Sequence, residues 1–133
     1  MKKTLCIFLL LLLFVASVSS QISSVKDLIG KWTGTTLGKT GILEFLDSTH
    51  VNVTFPDGTF IKGLYSIDFT KNPIWIDIIN IKGNQKSTLE GLIKVIDKTT
   101  FRWMITHSGT RPKDFSPNKN TSTLTFKKKS MSP

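Results

Sequence analysis

The reactive side chains of this chain are few, and they bound the chemistry it can do. Its two histidines are His50, next to a turn signal, and His107, at the end of a strand pattern. His107, Ser108 and Asp114 together spell a Ser-His-Asp set on paper, the groups that nucleophilic acyl chemistry needs. A serine nucleophile of that kind sits in an elbow such as Gly-x-Ser-x-Gly, and no comparable motif accompanies Ser108. No His-x-His pair or acidic cluster has metal-ligand spacing. The reading is a protein that binds rather than catalyses, with no catalytic residues, no metal and no cofactor.

Large apolar side chains are the richer resource. Phe60, Tyr65, Trp75, Trp103 and Met104 are candidates to line a pocket with few polar contacts, as small-molecule sites do. The competing reading is that the aromatics fill a narrow core. The other conspicuous segment is GTRPKDFSPN, Gly109 to Asn118, which puts an Arg, two prolines and a lone Phe between two strand-like runs. A connection of that length in a compact domain is either functional or packed back on the body.

These residues belong to an exported domain, on the evidence of the first twenty. Lys2 and Lys3 precede an apolar run from Leu5 to Val15, too short to span a bilayer comfortably, and Val18-Ser19-Ser20 offers small residues for cleavage before Gln21. Residues 1–20 are therefore expected to be a signal peptide, leaving 21–133 as one domain, secreted or periplasmic, with no stable membrane span. The only cysteine, Cys6, departs with the leader, so packing and backbone pairing alone must hold the fold. Losing Lys2 and Lys3 leaves sixteen basic residues against nine acidic ones, a formal charge of +7. An anionic envelope partner follows from that charge as an expectation; nucleic acid does not fit an exported protein, and a monomer is expected.

A short helical lead-in, Ser24 to Ile29, opens the domain, with Ser24 and Asp27 placed as a capping box. Eight strands follow: Lys31 to Leu37, Ile42 to Leu46, His50 to Phe55, Thr59 to Asp68, Ile74 to Asn80, Ser87 to Val95, Thr100 to Thr106 and Thr121 to Lys127. Turn signals such as Pro56-Asp57-Gly58 and Lys71-Asn72-Pro73 separate them. Eight short strands at near-even spacing form an antiparallel meander, which removes its two edges by closing into an up-and-down barrel. An eight-stranded barrel is just wide enough to be filled by side chains or to hold one small ligand. IWIDII and FRWMIT are apolar on both faces, so one face is expected inside the barrel and the other under a cover. The lead-in and GTRPKDFSPN are the available covers.

GKWTG, Gly30 to Gly34, resembles the Gly-x-Trp signature at the start of the first strand in lipocalins and related calycin barrels. With Leu28-Ile29-Gly30, the GLYSIDFTKNPIWIDI block from Gly63 to Ile78, Gly91 and GTRPKDF from Gly109 to Phe115, nearly all of residues 21–133 resembles a family of small exported lipocalin-like domains. That family is abundant in planctomycetes and other bacteria and has no established activity. Ile93 and Asp97-Lys98 depart from its usual Tyr and Gly-Asp turn. The resemblance implies the barrel; the Gly-x-Trp start with the two-faced apolar strands gives the expectation of a carrier or sensor of a small hydrophobic ligand, and the charge of +7 gives the alternative, a filled barrel that binds or inhibits an envelope macromolecule through its basic surface. The resemblance also implies a structural latch. In such barrels the Trp plugs one end and an Arg from near the last strands packs across it, which nominates Trp32 with Arg111. Arg102 is the rival cation, Pro112 and Pro117 stiffen the loop, and Phe115 anchors it.

Overall fold

The computed structural model describes residues 21–130 apart from Gly83; the expected signal segment lies outside the described residues. Eight strands follow one another: β1 (Gly30–Thr36), β2 (Lys39–Phe45), β3 (His50–Thr54), β4 (Phe60–Asp68), β5 (Ile74–Lys82), β6 (Gln85–Asp97), β7 (Thr100–Thr106) and β8 (Thr121–Lys128). Each pairs antiparallel with the next, and β8 returns to β1, so the sheet is a closed up-and-down barrel. The lead-in is one 3-10 turn, Val25–Asp27, where the Asp27 carboxylate accepts the amides of Ser23 and Ser24.

Turn chemistry sets the meander. Four connections and the long loop carry the same short pattern, Asp-x-Thr or Asp-x-Ser, at Asp47, Asp57, Asp68, Asp97 and Asp114. In each, an aspartate oxygen accepts the amide two residues on, at 2.8 to 2.9 Å. This is the Asx-turn, which imitates a backbone turn and fixes the reversal locally. These amide bonds, preceded at Asp68 by the bond from the Thr70 hydroxyl, favour the charged carboxylate and hold all five groups below the ordinary aspartate range. The β1–β2 connection is tighter than the Gly38–Gly41 turn read from the sequence. Leu37 and Gly38 alone make it, with φ of 49° and 76°, and Thr36 pairs with Lys39. Two successive left-handed residues give the twist that a two-residue hairpin requires.

Register fixes the barrel's stagger. Gly30 leads across Phe45, Val51, Gly63 and Asn80 to Ser87. Closing the circuit through Gly91, Ile105, Ser122, Phe126 and Gly34 requires slips of four residues on β6, four on β8 and four on β1, twelve in all. That exceeds the shear of about 8 in the filled core of a β/α barrel, so the strands tilt more and the interior is wider. Bulky rings are needed to fill it. Trp32 packs on Phe101 at 4.7 Å between centroids, Phe101 on Phe126 at 5.5 Å, Phe126 on Trp103 at 6.1 Å and Trp103 on Phe55 at 6.3 Å. This line of rings runs from the lead-in end to the β3–β4 turn, and Phe45 and Tyr65 pack edge to face beside it.

Candidate functional site

Strand parity divides the five pocket candidates between the two sides of the sheet. Tyr65 and Trp103 belong to the interior cluster and are buried. Phe60, Trp75 and Met104 sit at outward registers, so the five do not converge on one pocket. Tyr65 donates its hydroxyl to the Asp47 carbonyl at 2.6 Å, and burial, helped by the Asp47 charge, pushes its phenol up to about 12. The Trp103 indole lies against Gly91, where an added Cβ would come within 2.7 Å of its Nε1. That Nε1 is buried and has no hydrogen-bond partner.

The outward face of β5, β6 and β7 carries a second, smaller core. Trp75 is opposite Leu92 and Leu92 opposite Met104, and the last two are 1 % exposed although both point away from the interior. The loop between β7 and β8 covers them, as the two-faced strands anticipated. Arg111 supplies the attachment. Its Nη1 donates to the Gly91 carbonyl at 2.8 Å, its Nη2 to Asp77 Oδ1 at 2.6 Å, and its guanidinium lies 4.2 Å above the Trp75 ring. Its amide donates to Glu90 Oε2 while the Glu90 amide donates to the Gly109 carbonyl. Pro112 beyond it is buried, and Phe115 reaches the Asn72-Pro73 turn beside Ile74 and Val95.

This arrangement answers an electrostatic problem. Asp77 and Glu90 are direct cross-strand partners, and like charges in that position repel. Arg111 binds both, one through its side chain and one through its backbone, and a planar guanidinium stacked on indole does what an ammonium cannot.

The latch expected across Trp32 is therefore corrected. Arg111 lies on Trp75, on the outside, and Arg102 is exposed on the outward side of β7. The cation over Trp32 is Lys128, with Nζ 5.4 Å from the ring and bonded to the Asp27 carbonyl. Trp32 Nε1 donates to the Leu28 carbonyl at 2.8 Å, tying the lead-in over that barrel end. The reason is reach: the long loop leaves β7 at the opposite end and descends the outer wall, whereas β8 delivers Lys128 directly to Trp32.

The histidines do not assemble a triad. His107 Nε2 is 3.0 Å from Ser122 Oγ, Ser108 bonds to the Thr110 and Thr106 hydroxyls, and Asp114 caps its own turn. His50 Nδ1 lies 2.9 Å from Asp47 Oδ2 within the β2–β3 turn. Among the described residues no group of three or more His, Cys, Asp or Glu is arranged to hold a metal ion, and no helix is long and apolar enough to cross a membrane.

Two cavities lie on the outside. One of about 310 Å³ runs over the outer face of β3 to β5, between Leu46, Asn52, Lys62, Leu64, Ile79 and Ile81. A second, of about 790 Å³, lies at the Trp32 end between Ile29, Glu44, Leu46 and Lys129. Sequence reasoning passed over Leu92, Glu90 and Lys128. The legible signal for the first two was the apolar and acidic outward residues on β6 opposite Trp75 and Asp77. Comparison of the chain with family models, curated proteins and solved structures finds no match.

Proposed function

We propose that this chain is an exported binding protein, a filled barrel that engages an anionic envelope partner through its outer surface. The observation that carries the reading is the continuous line of rings from Trp32 to Phe55, which occupies the volume that a carrier would leave for its ligand. The charge distribution supports it. All nine carboxylates accept a hydrogen bond or pair with a lysine or arginine, five of them within Asx-turns. Among the described residues, Lys31 and Arg111 are the only lysine or arginine side chains in ion pairs. Sixteen lysines and arginines against nine carboxylates leave residues 21–133 with a formal charge of +7, and a net positive field attracts anionic partners. The exported location and the resemblance to small lipocalin-like domains are part of this proposal.

A second reading has one observation in its favour. Phe55, Ile61, Leu89, Ile105 and Leu124 are only partly buried around the end of the barrel away from Trp32, a shallow apolar cup in which a small hydrophobic ligand would sit. Native mass spectrometry of the protein recovered from its own host envelope separates the two. The proposal expects the bare chain, or a macromolecular partner lost at high salt; a small molecule retained in stoichiometric amount overturns it in favour of the cup.

A further inference from the structure

Four connections lie at the barrel end away from Trp32, and at three of them, all but the β7–β8 loop, an apolar side chain in or beside the turn is exposed to solvent. Leu37, on the β1–β2 turn, is 98 % exposed; Phe60, at the start of β4, is 51 % exposed; Ile81, near the end of β5, is 54 % exposed. The stagger of the barrel brings them to a common height, because the register climbs steadily from β1 to β5. Lys39, Lys62 and Lys86 stand among them, all exposed, and Asp57 in the β3–β4 turn is the carboxylate between them. The opposite end carries Asp27, Asp47, Asp68 and Asp97 at its turns together with the exposed Lys26, Lys71, Lys98 and Lys129 and the exposed Ile29, Leu46 and Ile96, so its cations are interleaved with carboxylates.

Leu37 is the informative member. A branched side chain at a φ of 49° is strained, and Gly or Asn occupies such turn positions at lower cost. It touches nothing that would compensate within the fold, being almost wholly exposed. Strain held at an exposed apolar tip is an observed outlier that points to function rather than packing.

We infer that this end of the barrel is a docking face for an anionic lipid surface, with Leu37, Phe60 and Ile81 entering the interface and the three lysines meeting the headgroups. The inference rests on the surface-binding reading above and specifies its partner. Three apolar tips at one height match a plane rather than a pocket, and lysines set among them match a sheet of negative headgroups. A second copy of the chain is disfavoured as the occupant, because it would bring like charges together.

The test is co-sedimentation of the processed chain, recovered from its host envelope fraction, with phosphatidylglycerol-rich vesicles and with pure phosphatidylcholine vesicles. Binding is expected to the first and not the second, and to weaken at high salt. Leu37→Ser, Phe60→Ser and Ile81→Ser are each expected to lower partitioning on the order of tenfold while the melting transition is retained. Lys39→Gln with Lys62→Gln is expected to abolish the preference for phosphatidylglycerol. Equal binding to both vesicle types, or undiminished binding by the three serine variants combined, overturns the inference. Immobilised polyphosphate distinguishes its failure from that of the broader reading. Salt-sensitive retention there without vesicle binding removes the lipid face and leaves an anionic partner; retention by neither removes both.

Discussion

The outer wall of the barrel has two apolar regions of similar composition and opposite fate. On β5 to β7, Trp75, Leu92 and Met104 form a row that the β7–β8 loop closes over, leaving Leu92 and Met104 at 1 % exposure. On β4 and β5, Phe60, Leu64, Ile79 and Ile81 form a comparable row with no segment of the described chain across it. Strand β5 contributes to both. What separates them is polar anchoring: Asp77, Glu90 and the Gly91 carbonyl lie where Arg111 can take all three, and the open row has only Lys62, His50 and Asn52 around it. An apolar strip becomes core when a loop can reach it and satisfy its neighbours' charges; otherwise it remains surface.

The sharpest way to break that comparison is to truncate both rows. Leu92→Ala and Met104→Ala are expected to cost about 2 to 5 kcal/mol, as in any closed core. Leu64→Ala and Ile81→Ala are expected to stay within about 0.5 kcal/mol of the parent. Urea unfolding of the four variants measures the difference, and equal losses would mean that the outer wall has no second core.

Removing the anchor is the next largest effect. Arg111→Ala deletes two charge-assisted hydrogen bonds and the stack on Trp75, and it leaves Asp77 facing Glu90 without a cation. A loss of about 2 to 3 kcal/mol is expected. Arg111→Lys should recover little of it, because one ammonium cannot bind Asp77 and the Gly91 carbonyl while lying flat on an indole. Adding Asp77→Asn to Arg111→Ala should recover part, since it removes the bare carboxylate pair. If the double variant is no better than the single, repulsion is not what Arg111 relieves.

How much of this was legible follows the range of the interactions. The eight strands and their closure were readable because turn residues and alternation act over two to four positions. The capping of the lead-in by Asp27 was readable for the same reason. That Trp75 and Met104 lie outside was implicit in the alternation of IWIDII and FRWMIT, yet grouping them with Tyr65 and Trp103 as one pocket mixed the two faces. Arg111 was marked out by its long, proline-bearing loop, but its partner was not. Choosing between Trp32 and Trp75 needs the stagger of the whole barrel and the descent of the loop, which no local pattern encodes. Lys128, in a basic run at the chain's end, carried no signal that distinguished it from its neighbours.

Titration separates the walls from the turns. The Asx-turn aspartates are held below their ordinary range, so their contribution is fully present above about pH 4 and is lost as pH falls through the depressed native values. Unfolding monitored by circular dichroism should therefore begin only below that point. Tyr65 has the opposite sign. Its phenol is raised to about 12, so its contribution is intact below about pH 10, the unfolded value, and fades as pH rises through 12. It is the only tyrosine in the chain, so ultraviolet absorbance reports it without deconvolution. A native midpoint near the unfolded value would place the ring in water and contradict its packing on Phe45.

The smallest effect lies on the open side, and its sign is the opposite of all the others. Leu37 holds a left-handed backbone at a tip where its side chain meets only solvent. Leu37→Gly removes a conformational cost of about 1 to 2 kcal/mol and adds back about 0.5 to 1 kcal/mol of unfolded-state entropy, so stability should rise by about 0.5 to 1 kcal/mol. On the covered wall no truncation can do this, because each buried side chain there is held by contacts. A variant that melts higher yet partitions less onto phosphatidylglycerol vesicles would locate the function of the open side at a residue the fold itself does not need. A variant that melts lower would show instead that Leu37 is held by the barrel, and the distinction between the two walls would end at that turn.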